Sequence, residues 1–391
     1  MKQKRFPGWL WKLLRRRFLI AFLIIVQATF FVYLIASGSM LSQRLSRGLS
    51  IISILVVLYI VSKRDKGAYK TLWVFLILSF PILGGLLYLM VKFQTPTKKM
   101  QRDIQRIQEV TRALYPLPDD SYIDAREKTG SHFSQVRYLQ NYAGFPVYSN
   151  TQTTYLELGE CFHERLLQEL EKAEHYIFLE FFIIQDGVFW GSILEVLKRK
   201  VSQGVKVRVL YDDLGCFIML PTDFVQQMEK LGMECAMFNP FRPFLTMKQN
   251  NRDHRKIVVI DGKAAFTGGI NLADEYINAR EKYGHWKDSG VLLEGKAAWS
   301  FTLMFLEMWE LCTKCGEDIA SYYPWQFTGC NMEPDGLVIP YADSPMDSEN
   351  TGEQVYLSII SGAKDYIYIN TPYLIIDNGM MAALCHAAKS G

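Results

Sequence analysis

An α/β region carried behind α-helical membrane segments is the class that this sequence predicts. Three observations carry it. Long uncharged runs crowd the first 92 of the 391 residues. A helix–strand–turn–helix pattern occurs twice further along. The first copy leads into a second apolar strand, so a βαβ unit with a parallel sheet is expected.

The length suits two or three domains and a large buried core. A formal net charge of +3 does not by itself indicate a nucleic-acid partner. The seven cysteines (Cys161, Cys216, Cys235, Cys312, Cys315, Cys330, Cys385) are odd in number and irregularly spaced, which argues against a disulfide framework. Cys312 and Cys315 form a CxxC with no second pair after it, whereas a closed zinc site takes four ligands. They read as ordinary thiols.

At the membrane end, Phe18–Ser37 is twenty residues without a charge and Thr71–Val91 is twenty-one, each the length of a bilayer span. Leu49–Ser62 is only fourteen, a length that also suits a buried or re-entrant helix. Its hairpin-like link "KRDKGAYK" to the next run favours a third span. Lys2, Lys4, Arg5, Lys12 and Arg15 to Arg17 resemble a signal-peptide n-region. The apolar run is too long, however, and has no small-residue cleavage site, so an uncleaved anchor is expected. The basic N-terminus favours the cytoplasm. Three spans would put the large domain outside and two inside; the loop charges favour three and leave the side open.

Lys98–Leu114 carries Met100, Ile104, Ile107, Val110 and Leu114 at helical spacing among basic residues, which makes an amphipathic helix. It suits a lipid surface or the flank of a domain equally. The expected divisions are a membrane region 1–92, an amphipathic linker 93–142, a first catalytic domain 143–330, and the start of a second at 331–391.

The repeat sets "LLQELEKAEHYIFLEFFIIQDGVFWGSILEVLKRKVSQG" beside "VYLSIISGAKDYIYINTPYLIIDNGMMAALCHAAKSG". Ala173 aligns with Ala363, Tyr176 with Tyr366, and Gly204 with Gly391. The first unit continues into "VKVRVLYDD", whereas the second stops at the glycine. The chain is therefore expected to be truncated.

"DHRKIVVIDGKAAFTGGIN", Asp253 to Asn271, carries the chemistry. Lys256–Asp261 reads as a strand closed by Gly262, so His254 and Lys256, two apart, project to one face. The glycines Gly268 and Gly269 let backbone amides approach an anion, and Asn271 adds a donor. An imidazole, a fixed positive charge and amide donors make a phosphate site. The bland alternative is a strand with a basic flank; the added Gly-Gly-x-Asn makes chance a poor explanation.

His254-x-Lys256-x4-Asp261-x6-Gly268-Gly269-x-Asn271 resembles the HKD motif of the phospholipase D superfamily. Gly269 stands where serine is usual, and the double glycine, "YDDLG" and "NTPYLIID" resemble the bacterial cardiolipin synthase branch. The resemblance implies phospholipase D-like αβα sandwich domains, the second incomplete here, in a multi-pass protein of the bacterial cell membrane. Family members carry two HKD motifs. This chain shows one, and the repeat puts the other about fifty residues beyond Gly391, so the fragment alone is expected to be inactive. The implied reaction is phosphatidyl transfer between two phosphatidylglycerol molecules through a phosphohistidine, giving cardiolipin and glycerol, with no metal or cofactor. In that scheme His254 is nucleophile or acid–base, and Lys256 binds phosphate with Asn271 and the amides of Gly268 and Gly269. Asp261 holds the strand end and the site network and is counted with the catalytic group. Asp288 is the expected carboxylate partner of His254. His285 is expected to be structural or at the pocket rim, and Glu180, whose counterpart is Asn370, to line the site. Competing readings are a phospholipase D hydrolase, a single-motif nuclease dimer, and a membrane-anchored scaffold.

Overall fold

Ser39 caps a 22-residue apolar helix of the N-terminal region, its Oγ accepting the amide of Ser42 at 3.2 Å. The computed structural model describes all residues except 1–7, 38, 64–66, 93–94, 117–119, 241–250, 283, 325–335, 345–348 and 391. The basic residues Lys2, Lys4 and Arg5, Cys330, the 330/331 boundary and Gly391 lie outside the described residues. The rest form two units, one up to Lys98 and one from Lys99 onward.

The first unit is helical: α1 (Gly8–Ser37), α2 (Met40–Val61), α3 (Gly67–Ser79) and α4 (Pro81–Lys92). Among the described residues α2 alone is long and apolar enough to cross a membrane. Its 22 residues reach about 33 Å at 1.5 Å each. The expected span at 49–62 is the end of this longer helix. The expected span at 71–91 is not one helix, because the chain breaks at Phe80 ahead of Pro81, which lacks the amide needed to continue. The α4 backbone then folds back on α3. A Cβ at Gly84 would lie 2.5 Å from the Leu76 carbonyl oxygen, and Trp73 meets Tyr88 edge-on at 5.3 Å. Gln27 of α1 accepts the amides of Ile82 and Leu83 at 3.0 and 3.1 Å, satisfying donors that a helix start leaves open. At 13 and 12 residues, α3 and α4 are each about 18–20 Å long, short of a bilayer core. Of the three expected spans, 18–37 lies within α1, 49–62 coincides with the end of α2 and its C-cap Ser62, and 71–91 is divided between α3 and α4.

The second unit begins on α5 (Thr95–Arg112), followed by α6 (Asp120–Thr129) and α7 (Phe133–Arg137). It continues with β1 (Thr151–Leu156), α8 (Gly159–Leu170), β2 (Tyr176–Phe181), α9 (Val188–Ser202), β3 (Lys206–Asp212), α10 (Asp213–Cys216), α11 (Phe224–Lys230) and β4 (Glu234–Phe238). Then come β5 (Ile257–Ile260), β6 (Ala264–Gly268), β7 (Gly290–Gly295), α12 (Ala298–Thr313), α13 (Thr351–Gly362) and α14 (Asn378–Ser390). The strands form one sheet in the order β1-β7-β6-β5-β2-β3-β4. The β2–α9–β3 unit is parallel as expected, and β4 joins it in parallel; β5, β6, β7 and β1 run antiparallel, so the sheet is mixed. The alternation of β2 sends Ile177, Leu179 and Phe181 to a core with α8, α9 and α11, and Tyr176 and Phe178 to a core with α12. A helix layer therefore covers each face.

The amphipathic helix packs on this domain: Met100 and Ile104 of α5 are buried in the α12 core. Its stripe is shifted by one residue from the expected one. Val110 is exposed and Thr111 is buried, the Thr111 hydroxyl donating to Glu307 at 2.5 Å. In the second copy of the repeat, α13 and α14 form but the intervening strand does not. Tyr366 is 72% exposed where its counterpart Tyr176 is 6%. No strand among the described residues lies beside residues 365–370, and an isolated strand has no ladder to join.

Candidate active site

Because β5 runs antiparallel to β2, the residues entering β5 sit at the carboxyl ends of β2 and β3, where open α/β sheets place their ligand sites. Asp212, the last residue of β3, shapes this end. Its Oδ1 accepts the amides of Leu214 and Gly215 at 2.9 and 3.3 Å, and its Oδ2 accepts the amide of Asp253 at 2.9 Å. The residue before His254 is thus tied to the neighbouring strand end.

His254 and Lys256 share one niche, as the two-residue spacing predicts. Lys256 Nζ lies 3.1 Å from His254 Nδ1 and donates to the His254 carbonyl at 2.7 Å. Phe182, one residue past β2, sets its ring 4.8 Å from the imidazole and 5.7 Å from the ammonium. The histidine is exposed on one side, whereas Lys256 is 5% exposed. Burial, then the Lys256 charge, lower the pKa of His254 against an opposing pull from Asp253. Burial lowers Lys256 to about 8, with Asp253 and Asp288 pulling the other way. A neutral imidazole beside an ammonium near its own titration point is the result. The niche opens into a cavity of about 620 Å³ whose walls include Met100, Ile104, Met304 and Glu307.

The other expected site residues divide. Asp261 lies at the opposite end of β5, about 16 Å of strand from Lys256 at 3.3 Å per residue. Its carboxylate accepts the amides of Glu174, His175 and Tyr176 at 2.8, 2.8 and 2.7 Å, fastening the start of β2. That is the strand-end part of the role expected of it: Asp261 braces the sheet. Asn271 is 2% exposed; its Oδ1 accepts the Ile183 amide at 3.0 Å and its Nδ2 donates to the Tyr276 hydroxyl at 2.8 Å. It secures the loop after β2, and at most one of its N–H groups is left for an anion. Gly268 lines the cavity, but the Gly269 amide is taken by the Ser289 carbonyl at 3.2 Å and is no anion donor.

Asp288 interacts with Lys256, and no hydrogen bond joins it to His254 among the described residues. Its charge couples to Lys256, and its Oδ1 accepts the Ser289 amide at 2.8 Å, while the facing nitrogen of His254 is held by Lys256. A Cβ at Gly269 would lie 2.2 Å from Asp288 Oδ1, so glycine is what admits this carboxylate. His285 is exposed and outside the cavity lining. Glu180 does not line the cavity; it is fully buried beneath the motif, its Oε1 accepting Arg255 Nε at 2.6 Å.

Sequence reasoning passed over Asp212, Phe182, Asp253 and Arg255. The signal for Asp212 was its position at a parallel strand's carboxyl end; Arg255 reaches Glu180 beneath the motif and borders the same cavity as His254 and Lys256.

The comparisons agree with this geometry. The family described as "Cardiolipin synthase, PLD-like domain" matches residues 166–296, which span β2 to β7, and "Phospholipase_D-nuclease N-terminal" matches 48–92. An uncharacterized protein of Streptococcus mutans is 43% identical over 335 residues, covering 86% of this chain and 72% of its own. The cardiolipin synthase of Alkalihalophilus pseudofirmus is 32% identical over 372 residues, covering 93% and 73%. That of Geobacillus kaustophilus is 31% identical over 339 residues, covering 86% and 67%. With the motif placed at the strand ends and this likeness running from the helices through the sheet, the chain belongs to the bacterial cardiolipin synthase family of phospholipase D-like proteins.

Proposed function

We propose that the protein is a cardiolipin synthase that transfers the phosphatidyl group of one phosphatidylglycerol to a second. The carrying observation is the exposed imidazole of His254 held 3.1 Å from the buried ammonium of Lys256. With its pKa lowered, His254 has a lone pair available near neutral pH. Once Lys256 leaves Nδ1 the ring proton moves there and frees the lone pair of Nε2, which attacks phosphorus; a P–N bond forms, and the P–O bond to the headgroup glycerol breaks. Lys256 turns from Nδ1 to the phosphate oxygens and offsets the charge that grows there. The Nδ1 proton then needs an acceptor, and Asp288, already coupled to Lys256, is the carboxylate at hand. A second acid–base group gives the departing glycerol its proton. It then takes the proton from the primary hydroxyl of the incoming phosphatidylglycerol, whose oxygen displaces His254. The family resemblance assigns this group to the histidine of a second motif.

The test is product analysis on membranes carrying the protein and supplied with phosphatidylglycerol. Cardiolipin and glycerol in equal amounts are expected, with an acid-labile phosphoryl label on the protein, both lost in His254→Ala. Phosphatidic acid as the only lipid product refutes transfer and favours the hydrolase reading, in which water is the acceptor.

A further inference from the structure

Glu180 is an unusual residue for its place, a carboxyl at 0% exposure inside an apolar strand. Its Oε1 accepts Arg255 Nε at 2.6 Å. The Arg255 amide donates to Asp253 Oδ1 at 3.2 Å, and Nε lies 3.4 Å from the same oxygen. The residues on either side of His254 are therefore gripped by two carboxyls that straddle one edge of a guanidinium. The remaining oxygens, Glu180 Oε2 and Asp253 Oδ2, are both buried and lack a partner, although the two side chains are within hydrogen-bonding reach of each other.

Two ionised carboxylates are acceptors only, so contact between them leaves lone pairs unsatisfied and like charges adjacent in a poorly solvated place. A single proton between the orphan oxygens removes both penalties. It also leaves the pair at −1 beside Arg255 at +1. From α12, Glu307 and Cys312 face this cluster, and Arg112 and Tyr115 face it from the end of α5 and the turn after it. The Glu307 carboxyl is already engaged by the Thr111 hydroxyl, and Arg255 Nη2 is drawn to Glu180 Oε1 at 2.6 Å, so neither is hydrogen-bonded to the two orphan oxygens.

We propose that Glu180 and Asp253 share one proton between Oε2 and Oδ2, and that this acid pair, clasped on Arg255, positions the backbone on both sides of His254 for attack on a phosphodiester. The second half of the proposal rests on the reading of His254 as the nucleophile; the first half does not. The direction of titration agrees, since burial raises the Glu180 carboxyl well above its ordinary range and Asp253 raises it further against the pull of Arg255.

Infrared difference spectra of the full chain in detergent micelles, with no phospholipid supplied, test the first half without any turnover. A protonated-carboxyl stretching band is expected at neutral pH, absent in Glu180→Gln and bleached at high pH. No such band in the wild type overturns the shared proton. Turnover tests the second half. Glu180→Ala is expected to lower kcat about 100-fold, the scale of an ångström misplacement, with KM within a few-fold. Glu180→Gln, whose amide donates to Asp253 while its oxygen keeps Arg255, is expected to recover most of that loss. Should alanine prevent folding, the glutamine variant still decides: a loss as deep as 100-fold there, in folded protein, overturns the positioning role.

Discussion

Removing the Asp261 carboxylate separates what the motif does for the sheet from what it does for chemistry. In Asp261→Ala three amide donors, those of Glu174, His175 and Tyr176, lose a charged acceptor at 2.7–2.8 Å. Hydrogen bonds to charged groups contribute about 1.5–3 kcal/mol each, and an unsatisfied buried donor costs about 1–3 kcal/mol. The full sum is not reached, because a cavity of about 390 Å³ bordered by His175, Asp261 and Lys263 can bring water to some of the amides. About 3–5 kcal/mol of destabilisation is the working figure. Asp261→Asn keeps Oδ1 for two amides but turns an N–H₂ toward the third, and about 2 kcal/mol is expected. The assay is thermal unfolding of the detergent-solubilised chain, followed by exposure of the buried Cys216 thiol, alongside transfer rates at a temperature where each variant is folded. The unfolding midpoint should drop in the order wild type, asparagine, alanine, while kcat of folded protein stays within a few-fold. A loss of turnover beyond 100-fold with an unchanged midpoint would mean that Asp261 acts in the reaction, and the structural assignment fails.

Two further outcomes are expected. The pH profile of kcat/KM should be bell-shaped. Activity falls as pH drops through the lowered pKa of His254, which must be neutral to attack, and falls again as pH rises through about 8, where Lys256 loses the proton that charges it. A flat profile between pH 7 and 9 refutes the role given to Lys256. Gly269→Ala should lower turnover about tenfold or more, since its Cβ would lie 2.2 Å from Asp288 Oδ1 and force the carboxylate out. The double variant Gly269→Ala/Asp288→Ala should be no slower than Asp288→Ala alone, and additive losses would show that the glycine serves something other than this contact.

Local pattern carried the elements whose partners are near in sequence. The two-residue step from His254 to Lys256 survives folding because strand alternation is a property of the backbone, and β2–α9–β3 survives because a crossover helix enforces parallel pairing. The same strand rule, applied five residues onward, carries Asp261 to the far end of β5, which is why its strand-end role was legible. The single span expected over 71–91 is divided, since Pro81 and the adjoining glycines Gly84 and Gly85 are a break and a close-packing surface written inside an apolar run. What no local pattern could supply is the set of contacts that reach across the sheet. Asp212 meets Asp253 from 41 positions away and Glu180 meets Arg255 from 75, and each pairing exists only because β5 is laid antiparallel against β2. These buried charges sit behind the motif on the strands that present it, so the imidazole is aimed by residues that never touch the phosphate. That arrangement explains why a motif of three named residues needs a sheet of seven strands: His254 and Lys256 are carried on the segment leading into β5, but their orientation is held by groups on β2 and β3.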